Sequence, residues 1–220
     1  MRRLPRIIPS ILTDDPKALL SMVREAEAFA GYVQFDIMDG HFVPSRSITS
    51  RDLTAIPIHF AWEAHLMVER PEDYMAGFKE VGAKKVIFHY EAQSPAKSVI
   101  MRARKLGLGV GLAVNPETRV STFIDFVDEV DSVVFLTVRP GYYGNQFVPE
   151  VLEKVVELRR NRPLAEIGVD GGVKEGNIVD IVRDGVDLLY VGSEIFLKPK
   201  PADNYHRLVS LLDEHETDGL

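Results

Sequence analysis

The chain has 220 residues, of which 45% are hydrophobic, and its 33 acidic and 26 basic residues give a net charge of −7. This length suits one α/β barrel or one smaller open α/β domain, and the apolar fraction excludes a disordered chain. The acidic balance provides no general electrostatic footprint for nucleic acid. Cysteine is absent, which excludes disulfides, a thiolate metal site and a thiol nucleophile.

The N-terminal segment contains basic residues, but Ser10, Asp14 and Asp15 follow before any long apolar run. We find neither a signal peptide nor a run of about 20 apolar residues. We therefore expect a soluble, cytoplasmic protein that binds neither a membrane nor nucleic acid.

Apolar runs alternate with amphipathic, charged runs along the whole chain. The apolar runs are short and nearly continuous, as in buried parallel strands, and predict strands at 6–12, 32–37, 60–67, 85–89, 109–114, 132–138, 166–170 and 187–191. Seven of the eight segments that follow the strands have helical character. Six are predicted helices at 16–30, 70–81, 95–106, 149–160, 174–184 and 201–214, and the seventh is predicted to start at residue 115. The weak segment, 45–57, is polar and contains a proline.

Strand–helix alternation predicts a parallel sheet, and eight units predict a closed (β/α)8 TIM barrel. No linker or change of composition divides the chain, so we predict a single domain over 1–220. In such a barrel the functional side chains lie at the carboxyl ends of the strands. Polar and sulfur-containing residues concentrate there, at Ser10, Gln34, Asp36, Met38, His65, Met67, His89, Asn115, Arg139 and Asp170.

Asp36 and Asp170 end strands two and seven, on different sides of the barrel axis. Two carboxylates that face each other across a substrate allow one to remove a proton and the other to deliver a different proton to the opposite face. This chemistry inverts a carbon next to a carbonyl group. Either aspartate could instead cap the following helix, and His65 could be a metal ligand, an acid or a buried core histidine.

Glycines follow strands seven and eight, where barrels commonly bind phosphate through backbone N–H groups. Gly171 and Gly172 follow Asp170, and Gly192 and Ser193 follow strand eight. Turns also require glycine, so each pair alone is a weak signal. Residues 140–147 contain glycines and aromatic residues, which indicates either a mobile lid or an ordinary long loop.

At these positions the chain resembles the ribulose-phosphate 3-epimerase family. The shared motifs extend over nearly the whole chain and are Pro9-Ser10-Ile11-Leu12, Phe35-Asp36-Ile37-Met38-Asp39-Gly40-His41-Phe42-Val43-Pro44, His65-Leu66-Met67, Asn115-Pro116, Thr137-Val138 with Pro140-Gly141, Val169-Asp170-Gly171-Gly172, and Gly192-Ser193 with Ile195-Phe196. The resemblance implies a barrel, often homo-oligomeric, that interconverts ribulose 5-phosphate and xylulose 5-phosphate.

The resemblance also implies roles for individual residues. It makes Asp36 and Asp170 the catalytic acid/base pair, and it implies a divalent metal such as zinc, iron or manganese. Substrate contacts are implied for Ser10, His65, Met38, Met67, Gly141, Gly144, Gly171, Gly172, Gly192 and Ser193. The metal ligands it implies are Asp36, His65, Asp170 and a fourth residue, at the position of Gln34.

The chain departs from the family pattern at functional elements. Gln34 stands where the family has its second metal-binding histidine, and Tyr143 stands where the lid usually has glycine. Leu136 replaces a third lining methionine, Thr49 replaces a usual glycine, and Arg139 stands where a smaller or acidic residue is common. Because an amide oxygen is a weaker ligand for zinc-like ions than imidazole, we expect a weak or absent metal site.

Without a metal, the developing enediolate still needs a hydrogen-bond donor or a positive charge, and Gln34, His65 or Arg139 could supply it. Three functions remain open on the sequence. The first is a ribulose 5-phosphate epimerase, and the second is a related epimerase acting on a ketose phosphate such as allulose 6-phosphate. The third is a metal-free sugar-phosphate binder. The decarboxylase and aldolase branch of phosphate-binding barrels is disfavoured, because strand three lacks its D-x-K-x-x-D pattern.

Overall fold

The computed structural model describes residues 4–141 and 146–218. Eight parallel strands close into a barrel in chain order, which confirms the predicted (β/α)8 TIM barrel. The strands are β1 Arg6–Ile11, β2 Tyr32–Met38, β3 Ala61–Met67, β4 Lys85–His89, β5 Gly109–Val114, β6 Ser132–Leu136, β7 Ile167–Asp170 and β8 Leu188–Val191.

The helices are α1 Pro16–Glu27, α2 Ser50–Thr54, α3 Glu72–Glu80, α4 Ala96–Lys105, α5 Val120–Phe123, α6 Val151–Asn161, α7 Ile178–Arg183, α8 Ser193–Phe196 and α9 Pro201–Asp218, with a 3₁₀ helix at Ile124–Glu129 after α5. The first helix begins as predicted from its sequence. Asp15 accepts a hydrogen bond from the Lys17 backbone N–H at 2.9 Å, and Pro16 occupies the first turn. No helix in the described ranges is both long enough and apolar enough to span a bilayer.

Strand six ends earlier than predicted. It stops at Leu136 rather than Val138, because its neighbour β7 ends at Asp170, the register partner of Leu136. The backbone N–H of Thr137 still donates to the Asp170 carbonyl at 2.8 Å. Beyond that bond the ladder has no further strand to pair with, and the chain turns into the loop after β6.

The predicted helix start at Asn115 is wrong, since α5 begins only at Val120. The Glu91 carboxylate accepts hydrogen bonds from the Asn115 backbone N–H, at 2.9 Å, and from the Thr118 hydroxyl. These contacts hold the segment as a turn. The weak segment after strand two does contain a helix, the single-turn α2, which Thr49 precedes as its N-cap.

Side chains alternate between the two faces of each strand. One face packs against the helices and forms the main core, whereas the other fills the barrel. The apolar interior consists of Ile8, Ile87, Ala113, Val134, Leu136, Leu188 and Tyr190. On β4, Ile87 separates Lys85, near the base, from His89 at the mouth. Polar groups therefore occupy both ends of an apolar barrel.

Candidate active site

The strand register brings the predicted polar residues together at the mouth. Asp36 is the register partner of His65, and Ser10 is the partner of Gln34. One carboxylate oxygen of Asp36, one of Asp170 and a ring nitrogen of His65 all lie within 4.8 Å of one another. The expected convergence of these three side chains is therefore present in the structure.

The Gln34 side chain lies between these groups. Its amide nitrogen donates to Asp36 Oδ1 at 2.9 Å and to Asp170 Oδ2 at 2.8 Å, and it is 3.5 Å from His65 Nδ1. The nitrogen faces the two carboxylates because the amide oxygen would be repelled there. The other amide atom, Oε1, is buried and has no hydrogen-bond partner in the described part of the chain. Gln34 thus bridges the two aspartates.

The buried charges of the cluster shift one another's pKa. Burial raises the pKa of Asp36, and the Asp170 charge adds to this effect, although His65 and Ser10 oppose it. Burial alone would lower the pKa of His65, but its hydrogen bonds to Asp170 and Asp36 outweigh burial and raise that pKa to about 10. The His65 Nδ1 atom lies 3.2 Å from Asp36 Oδ1 and 3.1 Å from Asp170 Oδ2. The contacts with the two carboxylates therefore favour the protonated form of His65.

Ser10, which the resemblance suggested as a substrate contact, holds the Asp36 carboxylate. Its hydroxyl donates to Asp36 Oδ2 at 2.8 Å, and both groups are buried. Because Asp36 Oδ1 binds Gln34 and His65, both oxygens of this carboxylate are held by named donors. Asp36 therefore has a fixed orientation before any substrate enters.

His89 was placed at a strand end by the sequence, but no role was assigned to it. Its Nε2 atom lies 3.0 Å from Nε2 of His65, and both side chains are almost completely buried. Its Nδ1 atom faces Glu91 Oε2 at 3.5 Å, a distance at which an ion pair still acts but a strong hydrogen bond does not. Burial lowers the pKa of His89, with the His65 charge acting in the same direction. In the sequence, the only indication of a role for His89 was its position as a polar residue at the end of a strand.

One cleft connects the carboxylates to the glycine loops. Met38, Met67 and Leu136 line it together with the polar cluster, and Gly141, Gly171, Gly172, Gly192 and Ser193 line its rim. The sequence had predicted all of these residues at the mouth. A ligand in this cleft would lie between the two carboxylates and the glycine loops.

The two glycines after β7 are required by their geometry. Gly171 has φ +109°, and a Cβ added there would meet Val138 Cγ2 at 2.3 Å. Gly172 has φ +68°, and its added Cβ would meet Phe147 Cβ at 3.0 Å. Val138 and Phe147, on the loop after β6, therefore pack directly against these glycines. The missing Cβ atoms also allow the backbone to come close to a ligand.

The predicted lid is only partly described. Gly141, with φ +122°, approaches Val43 of the loop after β2, so the loops after β2 and β6 meet across the mouth. Gly144 and Tyr143 lie outside the described residues, and their predicted roles stay predictions.

Arg139 does not lie in the cluster. Its side chain is 87% exposed, and Nε is 4.0 Å from Glu117 Oε1. The suggestion that Arg139 supplies a charge to the reacting centre is therefore not supported by its position. Gln34 and His65, the other two suggested donors, are both in place.

The cluster Asp36–His65–Asp170 could hold a metal ion. Two carboxylate oxygens and an imidazole nitrogen suit a divalent cation of the zinc, iron or manganese type. Charge balance also favours a divalent cation. Such a cation, with His65 neutral, would cancel the charges of the two carboxylates, whereas a protonated His65 alone would leave the cluster with one negative charge. Gln34 fits less well, since the amide nitrogen that faces the cluster is a donor and not a ligand.

Solved structures share this fold at low sequence identity. A 3-hexulose-6-phosphate synthase from Salmonella typhimurium has a TM-score of 0.69 and 15% identity, covering 96% of this chain and 99% of that chain. A mutant tryptophan synthase α-subunit from Pyrococcus furiosus also has a TM-score of 0.69, with 16% identity, covering 99% and 100%. At these identities the likeness shows the fold alone.

Curated relatives found by sequence have about twice the identity of these solved structures. "Ribulose-phosphate 3-epimerase 2" from Cupriavidus necator is 36% identical over 231 aligned positions, which cover 98% of this chain and 94% of the relative. Ribulose-phosphate 3-epimerases from Schizosaccharomyces pombe and Aquifex aeolicus are 33% and 34% identical, covering 90% and 86% of this chain and 90% and 89% of the relatives. The model of the ribulose-phosphate 3-epimerase family matches residues 6–196. The chain therefore belongs to the ribulose-phosphate 3-epimerase family.

Proposed function

We propose that this chain is a ketose-phosphate 3-epimerase, an isomerase that interconverts D-ribulose 5-phosphate and D-xylulose 5-phosphate. The observation that carries the proposal is the pair Asp36 and Asp170, whose carboxylates converge on one buried cluster inside a glycine-rimmed cleft. A protein that only bound sugar phosphates would have no use for two such carboxylates. Family membership supports the same reaction.

The two aspartates supply the proton chemistry. In one direction, one carboxylate removes the proton from C3, and the electrons of the C–H bond move toward the C2 carbonyl to form an enediolate. The other carboxylate, in its protonated form, returns a proton to the opposite face of C3. Because the two residues exchange these tasks in the reverse direction, each must be able to hold a proton. The raised pKa of Asp36, caused mainly by burial, fits that requirement.

The hydrogen bonds around the aspartates position them for this transfer. Gln34 donates to both carboxylates and Ser10 donates to Asp36. Such donors fix the direction of each oxygen, and a well-oriented reacting group lowers the barrier. His65 lies against the same oxygens and brings a positive charge next to the developing enediolate. Met38 and Met67 complete the apolar wall.

The phosphate end of the substrate belongs between the two glycine loops. Gly171 and Gly172 approach from β7, and Gly192 and Ser193 approach from β8. Backbone N–H groups can reach an anion closely there, because no Cβ stands at the glycines. The cleft thus orders the substrate from its phosphate to its reacting carbon.

If the enzyme carries a divalent metal, Asp36, His65 and Asp170 would hold it, with Gln34 as a weak fourth ligand. When bound, the ion would supply positive charge to the enediolate oxygens. Gln34 can assist only through its amide oxygen, so its amide must turn over. Nothing in the described residues holds the far amide atom, Oε1, and turning the amide breaks no bond on that side.

The metal is tested by comparing the native protein with Gln34→His, each purified without added metal. We expect the native protein to hold metal weakly and to lose it in chelator. The variant should retain close to one ion per chain and show a melting temperature that falls when chelator is added. A native protein that already carries stoichiometric, tightly held zinc would contradict the weak site, and the ordinary metal-dependent mechanism would then stand.

The reaction is tested with ribulose 5-phosphate in D₂O. We expect xylulose 5-phosphate to form, with deuterium at C3 of both sugars, as read by proton NMR. Allulose 6-phosphate, assayed in parallel, distinguishes the related epimerase by its kcat/KM. Binding of both sugar phosphates without exchange at C3 would refute the proposal and leave a binding protein. The expected cytoplasmic location and homo-oligomeric state stay predictions, the second checked by light scattering.

A further inference from the structure

The strongest unassigned feature is the pair of buried imidazoles His65 and His89. Their Nε2 atoms are 3.0 Å apart, their rings are within 12° of parallel, and the ring centroids are 5.1 Å apart. The ring edges therefore meet rather than the faces, since the nitrogens are much closer than the centroids. Two imidazole nitrogens at this distance form a hydrogen bond only if one of them carries the proton and the other a lone pair.

Glu91 is the charged group that faces the other nitrogen of His89. Its Oε2 atom faces Nδ1 of His89, and that Nδ1 has no nearer partner among the residues described. The other oxygen, Oε1, accepts from the Asn115 N–H and from the Thr118 hydroxyl. Burial alone would raise the pKa of Glu91, but the facing His89 ring and the hydrogen bonds from Thr118 and Asn115 lower it. An ionised carboxylate can only accept, so its position opposite Nδ1 favours the tautomer of His89 that carries the proton on Nδ1.

The rest of the chain of hydrogen bonds follows. With its proton on Nδ1, His89 presents a lone pair at Nε2, and His65 must donate its Nε2–H to that lone pair. Nδ1 of His65 is then the nitrogen left facing Asp36 and Asp170. That atom can hold a proton between the carboxylates or offer its lone pair to a cation. Phe42 packs on His89 with ring centroids 4.8 Å apart and helps to exclude water from the bond.

We propose that Glu91 and His89 are positioning residues that fix the proton of His65 on Nε2 and thereby dedicate its Nδ1 to the reacting centre. The proposal rests on the proposed epimerase function. Such outer partners orient a histidine ring and set its tautomer, and their loss typically costs about 10- to 100-fold in metal affinity or activity. Neither residue touches the substrate cleft in this arrangement.

The decisive variant is Glu91→Gln, which keeps the size and shape of the side chain. The Asn115 N–H and the Thr118 hydroxyl require an acceptor, so the new amide directs its oxygen to them. Its NH₂ group then faces His89 and donates to Nδ1. With His65 neutral, this reverses every bond in the relay: His89 carries its proton on Nε2, and His65 keeps its single proton on Nδ1, facing the carboxylates.

The reversal is measured by ¹⁵N NMR of the histidine rings, which distinguishes the two tautomers without any substrate. We expect the His89 proton to be on Nδ1 in the native protein and on Nε2 in Glu91→Gln. In addition, kcat should fall by about 10- to 100-fold, with a smaller change in KM because the phosphate loops are untouched. An unchanged His89 tautomer together with an unchanged kcat would overturn the proposal.

Two controls separate positioning from simple structural support. Glu72→Gln makes the same change at a carboxylate that accepts from Ser94, and should alter neither the His89 tautomer nor kcat. Thr118→Val removes a bond to Glu91 but leaves its charge facing His89. We expect a lower melting temperature with the native tautomer. If Thr118→Val reduced kcat as much as Glu91→Gln does, Glu91 would be a loop support and the relay would be refuted.

The spectroscopic result also separates this proposal from the epimerase proposal. A tautomer switch in a protein that lacks epimerase activity would support the relay and refute the proposed function. An active epimerase whose His89 does not change tautomer in Glu91→Gln would refute the relay alone.

Discussion

Two buried polar clusters occupy the two ends of the same barrel, and they differ in charge balance. At the base, Glu63 is fully buried, pairs with Lys85 at 3.0 Å and accepts from the Tyr32 hydroxyl at 3.0 Å. At the mouth, two carboxylates share one imidazole and the neutral amide of Gln34. The charges of Glu63 and Lys85 cancel at the base, whereas at the mouth two ionised carboxylates would leave one net negative charge even beside a protonated His65.

The difference fits a structural role for the cluster at the base and the proposed catalytic role for the cluster at the mouth. A buried charge is costly unless it is paired, and the base satisfies this requirement with its own lysine. The mouth has no lysine or arginine against its two carboxylates among the described residues, and burial and the second carboxylate raise the pKa of Asp36. An active site can tolerate this deficit because a substrate or a cation completes it. The following predictions are designed to break or sharpen the contrast.

The largest effect on stability should come from the base. In Lys85→Met, the fully buried Glu63 loses its counterion, and breaking a buried pair costs roughly 3–5 kcal/mol of the free energy of unfolding. Urea unfolding measures this loss. The turnover of the folded fraction should change little, because the base does not touch the cleft. The double variant Lys85→Met with Glu63→Leu should recover much of the stability; a double variant as unstable as the single one would contradict the pairing argument.

The mouth should show the opposite pattern. Asp36→Asn or Asp170→Asn should lower kcat by at least about 10²-fold, the low end for a positioned proton-transfer group. Removing one of two crowded carboxylates relieves repulsion, so the melting temperature should stay equal or rise. Steady-state kinetics and thermal unfolding of the same samples test both halves. If a variant lost both activity and thermal stability, Asp36 would instead have a structural role like that of Glu63.

The sequence predicted most of the fold, because buried parallel strands are apolar runs that local composition identifies. It failed at Asn115, where the turn depends on a carboxylate 24 residues away, that of Glu91. It also extended β6 to Val138, since the early end of that strand depends on where β7 stops. Both errors have one cause: the deciding contact is made between elements and leaves no local pattern.

The site follows the same division. Period-two alternation places Gln34 and Asp36 on one face of β2, so their proximity could be predicted from the sequence. The bridge from Gln34 to Asp170 joins residues 136 positions apart and exists only once the barrel closes. The bond between His65 and His89 has the same origin. Residue types at strand ends thus identify candidates, whereas hydrogen-bond partners require the structure.

A moderate effect is expected at the phosphate end of the mouth. Gly192→Asp would place a negative charge beside the expected phosphate, and KM should rise at least about tenfold, a change near 1.4 kcal/mol. Gly192→Ala is the control, since its φ of −102° suits any residue and the variant adds a Cβ without charge. Initial rates over a range of substrate concentration measure the change. A normal KM in Gly192→Asp would move the phosphate to another loop.

A smaller effect concerns pH, measured on protein stripped of metal. The folded pKa of His65 is raised from 6.5 to about 10, chiefly by Asp170 and Asp36 acting against burial. Its stabilising contribution is therefore fully present below pH 6.5 and is lost as pH rises through about 10. The stability advantage of the native protein over His65→Gln should shrink across that window in urea unfolding. A constant advantage would show that His65 is not protonated in the cluster.

The most direct measurement follows proton exchange at C3 in D₂O, starting separately from ribulose 5-phosphate and from xylulose 5-phosphate. If Asp36 and Asp170 serve opposite faces of C3, the native enzyme exchanges both sugars. Each asparagine variant should then exchange the proton of one epimer only, and the two variants should differ in which epimer that is. Equal loss of exchange from both sugars in both variants would contradict two-carboxylate epimerisation and leave the aspartates a structural role.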